Sequence, residues 1–151
     1  DFGHLPSCVD RSTRLKICSE LKLNQAFNSI GLLICDIVFV LKELRNSLAH
    51  NNVIFDCRFK ARRIDETLIL CLENDMGITN INFETIVDYV ILIVYLLKNI
   101  QATKPELNVF VNSFEMIINE VRKNIKISEY SKILHTDTRN KINLLKTYIK
   151  L

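Results

Sequence analysis

Glycine and proline are scarce in this chain, at 3 and 2 residues in 151, where average usage would supply about 10 and about 7. Sandwiches and barrels need a turn every few residues, and turns consume those two residues. The shortage therefore excludes them and predicts an all-α domain. Long hydrophobic runs are missing too. The two greasiest stretches are Ile30 to Leu41, interrupted by Asp36, and Tyr89 to Leu97, bounded by Asp88 and Lys98. Both fall short of the roughly 20 residues a bilayer span requires, so they are expected as buried helices and no membrane partner is expected. Five cysteines (Cys8, Cys18, Cys35, Cys57, Cys71) are odd in number and widely spaced, with no Cys-x-x-Cys pair and no His at a ligand spacing. That pattern excludes a disulfide framework or zinc site. Cys18, Cys35 and Cys71 stand among apolar neighbours and read as reduced core residues of a cytoplasmic protein. No metal or cofactor is expected.

What is present is a chain 48% hydrophobic, long enough to bury a core without staples, and free of repeats or low-complexity linkers. One domain over residues 1–151 is expected. Asp1 is not an initiator methionine, so the chain is read as a fragment or a processed product. The net charge of +3 is unevenly spread: residues 122–151 carry eight Lys or Arg against Glu129 and Asp137, a net of +6, which leaves −3 for the rest. A second basic cluster, Arg58, Lys60, Arg62 and Arg63, contains no acid before Asp65. Such patches steer polyanions, although solvated helix faces produce the same pattern.

Asp10 is a suitable N-cap for a short helix with Leu15, Cys18 and Leu21 on its apolar face. Ile30, Leu33, Ile34, Ile37, Leu41, Leu44 and Leu48 follow helical spacing and predict a long helix from about Gln25 to Ala49. Leu32, Cys35, Phe39 and Val40 widen its stripe, so it is expected to be nearly surrounded, by the core or by a second protomer. Ile64 to Asn74 reads as a short helix, with Thr67 to Leu72 also passing for a strand. Asn82 is expected to cap a helix over about Phe83 to Gln101. Thr103, Pro105 and Glu106 form a capping-box start, followed by the apolar face Leu107, Phe110, Val111, Phe114, Ile117, Ile118 and Val121. Two shorter helices are predicted at about Glu129 to Leu134 and Arg139 to Lys150.

One constellation carries chemistry. Arg45, Asn46 and His50 close the long helix, and Asn46 and His50, at i and i+4, share a face. A fixed cation, an amide and an imidazole so placed suit cleavage of RNA by its own 2′-hydroxyl. Imidazole serves as acid or base near neutral pH, Arg offers phosphate a planar fork of donors, and Asn orients the imidazole or donates to an oxyanion. One imidazole does not readily act as both acid and base, so two copies facing each other would complete the set. The bland alternative is a snorkelling Arg45, a surface Asn46 and a His50 at the negative end of a helix dipole. With 8 Arg and 3 His in the chain, the spacing alone arises by chance roughly once in six such sequences.

The stretch from Leu44 to Arg58, including Arg45-Asn46-Ser47-Leu48-Ala49-His50 and the following Asn51-Asn52-Val53-Ile54-Phe55-Asp56-Cys57-Arg58, resembles the signature region of bacterial abortive-infection (Abi) proteins of the AbiD/AbiF-like group, within the HEPN superfamily. That superfamily's motif is Arg, a polar residue usually Asn, three variable residues, then His. The opening Asp1-Phe2-Gly3-His4-Leu5 and the apolar helix leading into the motif are similar as well. The resemblance implies a HEPN-like helical bundle corresponding to the C-terminal half of a longer protein. It implies a homodimer in which two motifs form one RNA-cleaving cleft, with Arg45, Asn46 and His50 catalytic, and a role in phage defence or as a toxin held by an antitoxin or regulatory RNA. After the His, many relatives carry an aromatic-Asn-Arg element, where this chain has Phe55-Asp56-Cys57-Arg58.

Asn51, Arg58, Lys60, Arg62 and Arg63 are the candidate RNA-binding residues, with Phe55 and Phe59 interleaved for base stacking. His4 and His135 lack such company and read as surface or capping residues. Two further function classes stay open: a non-catalytic RNA-binding or partner-binding module, antitoxin-like or regulatory, and a purely structural dimerisation domain.

Overall fold

In the computed structural model, residues 9–28, 30–50 and 64–151 are described. They form helices α1 (Arg11–Glu20), α2 (Leu33–Ala49), α3 (Glu66–Met76), α4 (Ile86–Asn99), α5 (Lys104–Asn124), α6 (Ile127–Leu134) and α7 (Thr138–Lys150), with a 3₁₀ turn at Gln25–Phe27 before α2. The all-α expectation holds, and no strand occurs among the described residues. None of these helices is long and apolar enough to cross a membrane.

The centre of the bundle is α4. Its residues Ile86 to Leu92, with Val94 and Tyr95, are all buried, which is what a helix apolar on every side requires. It packs on α2, α3, α5 and α7, while α1 leans on α2, and α6 on α5. Start signals written locally in the sequence are realised. Asp10 accepts from the Thr13 amide at 3.1 Å, Asp65 accepts from the Thr67 amide at 2.8 Å, and Thr103 and Glu106 close a reciprocal capping box at the head of α5. Of the α5 face, Leu107, Val111 and Ile118 are buried, but Ile117 lies on the exposed side.

Three expectations are corrected. The long helix does not run from Gln25: Asn28 and residues 30–32 are not helical and it starts at Leu33, leaving Ile30 and Leu32 exposed. Gly31 adopts φ +74, a left-handed conformation, and a Cβ there would approach Arg14 Cβ to 3.2 Å. The Asn28 side chain accepts from the Leu33 amide at 3.2 Å and so starts the second segment. Asn82 does not cap a helix at Phe83. Phe83 has φ +57, its amide and that of Asn82 both donate to Asp88 Oδ2, and α4 begins three residues later. At the end of α2, Ser47 is buried and Leu48 is exposed, because the last turn emerges from the bundle.

Cys18 and Cys71 are buried and Cys35 is half-buried, all as free thiols. The core also contains an ion pair. Lys141 on α7 reaches Asp88 on α4 at 2.8 Å, with both side chains almost wholly inaccessible.

Candidate functional site

Helix α2 delivers its final turn to the surface. Its inner face, Leu33, Ile34, Ile37, Val40, Leu44 and Ser47, is held in the core, which fixes the azimuth of every other residue on it. With about 100° per residue, Asn46 and His50 lie about 40° apart on the outward side, whereas Arg45 sits about 140° from His50. Backbone placement alone would therefore separate the guanidinium from the imidazole.

Arg45 Nη1 donates to Asn46 Oδ1 at 2.8 Å, which ties the cation to the residue that shares the His50 face. Guanidinium has only donors, so the amide must present its oxygen to it, and Asn46 Nδ2 is left as a donor for another group. Asn46 thus orients Arg45 rather than the imidazole. The His50 amide donates to Asn46 O at 3.0 Å and completes the last turn, so all three residues are tied to one backbone segment.

Arg45 and His50 are exposed and Asn46 is half-buried. Among the described residues Arg45 has no carboxylate partner, since Glu43 faces Lys42 at 3.9 Å. A guanidinium bonded to a neutral amide retains its full charge for an anion, whereas one in an ion pair would first have to surrender its acid. The arrangement offers a fixed cation, one amide donor and one imidazole to a ligand arriving from solvent.

Arg45, Asn46 and His50 thus stand in the last turn of α2, at the exposed end of a buried helix, with Arg45 hydrogen-bonded to Asn46. Asn51, Arg58, Lys60, Arg62 and Arg63 lie outside the described residues, as do Cys8, Cys57 and His4. His135, expected as a surface or capping residue, is the C-cap of α6 and lies half-buried in the turn between α6 and α7, at φ +42 and ψ 160. No family model, curated protein or solved structure matches the chain.

Proposed function

We propose that this chain is a HEPN-type endoribonuclease domain of the abortive-infection kind, acting in phage defence, cleaving RNA without a metal and working as a homodimer. The observation that supports the reading is the Arg45 to Asn46 hydrogen bond, which ties a guanidinium with no carboxylate partner among the described residues to the residue that shares the His50 face.

The chemistry follows from the residues. One His50 imidazole takes the proton of the RNA 2′-hydroxyl, and the 2′-oxygen attacks the adjacent phosphorus. The bond to the 5′-oxygen breaks, and the imidazolium of His50 in the second copy returns a proton to that leaving oxygen. Products are a 2′,3′-cyclic phosphate and a 5′-hydroxyl. Arg45 and Asn46 Nδ2 donate to the non-bridging oxygens, where negative charge grows in the transition state. Dimerisation supplies the second imidazole. Half-buried Val38, Phe39 and Leu41, together with exposed Leu48, leave apolar surface on α2 for a second copy to cover.

The test is cleavage of RNA in EDTA by the purified chain, with cyclic phosphate ends detected by mass spectrometry. Activity lost in His50→Ala and in Arg45→Ala, with helical circular dichroism intact, supports the reading. A requirement for Mg²⁺, or activity surviving both substitutions, overturns it. The net +6 of residues 122–151 favours a second reading, an RNA-binding module without scission, for which binding would weaken with salt while the strand stays intact.

A further inference from the structure

The turn between α6 and α7, with the end of α5, encloses a cavity of about 260 Å³. Arg122 from α5, Tyr130 and Ser131 from α6, His135 and Thr136 from the turn, and Arg139 from α7 line it. No carboxylate is among its lining residues.

The acids nearby are already matched to lysines. Glu120 faces Lys123 at 3.6 Å, Glu129 faces Lys132 at 3.1 Å, and Asp137, the acid of the turn itself, faces Lys141 at 3.4 Å. Arg122 and Arg139 have no ion pair among the described residues. Two exposed guanidinium groups and a half-buried imidazole thus line one concavity without a counter-charge among the described residues, and their summed field favours an anion there. The amides that open α7 add to the positive field, since Asp137 makes no side-chain cap to them.

The geometry at His135 points the same way. A non-glycine residue at φ +42 with ψ 160 stands in a region that side chains avoid, and such strain persists where the surroundings impose it. It holds the imidazole in the wall of the cavity, while Thr138 Oγ1 donates to Leu134 O and pins the turn. The Arg122 guanidinium lies 5.9 Å from the Tyr130 ring centroid, within cation–π range. Ile127 extends the apolar side of the lining.

We propose that this cavity binds the phosphate of a nucleoside phosphate, with Arg122, Arg139 and His135 on the oxyanion and the Tyr130 side against sugar or base. Its volume approaches the roughly 300 Å³ at which small-molecule sites begin, more than a bare phosphate calls for. The ligand's source is either a free nucleotide or one residue of an RNA strand. None of the residues named belongs to the Arg45 and His50 site, so the proposal stands independently of the nuclease reading.

The experiment is isothermal titration of the full chain with inorganic phosphate, a nucleoside monophosphate, and a 2′-O-methyl oligoribonucleotide that cannot be cleaved by its own 2′-oxygen. Binding of the monophosphate at least tenfold tighter than inorganic phosphate identifies a free nucleotide. Tight binding of the oligomer alone identifies a strand. In either case Arg122→Gln/Arg139→Gln must weaken binding tenfold or more. His135→Gly separates binding from folding: it relieves the backbone, so thermal stability holds or rises while affinity falls. The proposal is overturned by absence of binding, by inorganic phosphate binding as well as the others, or by binding indifferent to the paired arginine substitution.

Discussion

Lys141 Nζ stands 2.8 Å from Asp88 Oδ1, and neither side chain has more than a trace of contact with water. Lys141 also donates to Asn80 O at 2.7 Å, and Asp88 Oδ2 accepts from the Asn82 and Phe83 amides. This pair joins α7, α4 and the segment that precedes α4. Burial pushes the Asp88 carboxyl above its ordinary value, against the pull of Lys141 and the two amides. The pair therefore specifies where α7 docks more than it adds net stability.

Removing one partner leaves the other charge buried and uncompensated, at a cost of about 3–5 kcal/mol. Lys141→Met should lose that much in urea unfolding. Asp88→Asn/Lys141→Met removes both charges but keeps an oxygen for the Asn82 and Phe83 amides. It should be more stable than Lys141→Met alone. A double variant as unstable as the sum of its singles would show that the two groups are not coupled.

Two glycines with nearly the same backbone should respond differently to alanine. Gly77 closes α3 at φ +66, with nothing near its missing Cβ, whereas Gly31 at φ +74 faces Arg14 Cβ at 3.2 Å. The left-handed backbone alone costs about 1–2 kcal/mol, which in a domain of this size lowers Tm by about 2–8 °C. Gly77→Ala should fall within that range. Gly31→Ala should exceed it, because α1 must also shift. Equal losses in a thermal melt would contradict the close approach of α1 to Gly31.

Cys71 is buried beside Tyr95 and Asp75, and desolvation raises its thiol to about 11. The unfolded thiol ionises near 8.5. A group whose folded value is raised contributes stability that is full below its unfolded value and is lost as pH rises through the folded one. Stability should therefore decline from about pH 8.5 to about 11, and Tyr148, raised by burial to about 12, should extend the decline. Cys71→Ala should flatten the slope within the first window. Alkylation should tell the same story, with Cys71 protected in the native protein at pH 8 and labelled only after unfolding.

The features that sequence made legible are those whose cause lies within a few residues. Thr103 and Glu106 form their capping box with each other, and the apolar run from Tyr89 to Leu97 demands burial whatever its neighbours are. The break before α2 was hidden because Gly31 is needed by Arg14, a residue on another helix. Phe83 is held out of the helix by Asp88, which lies five residues further on, in the first turn of α4. The spacing of Arg45, Asn46 and His50 was readable as one helix turn, but the direction of the Arg45 side chain was not. His135 was legible as a capping residue, but nothing in the sequence records its left-handed backbone or the cavity beside it.

The Arg45 to Asn46 bond separates a positioning role from a purely structural one, and two substitutions at a single residue expose it. In the RNA-cleavage assay His50→Ala should lose at least about 10² in kcat, and Arg45→Ala about 10² to 10³. Asn46→Ala releases the guanidinium but leaves its charge, so a smaller loss of about tenfold is expected, the worth of one hydrogen bond to a charged group. Asn46→Asp keeps an acceptor for Arg45 and neutralises it, so the cation is well placed but electrostatically spent. Activity in Asn46→Asp should then fall below that of Asn46→Ala, with Tm unchanged in both. The opposite order would mean that Asn46 acts through the placement of Arg45 alone and that its unneutralised charge is not what phosphate meets.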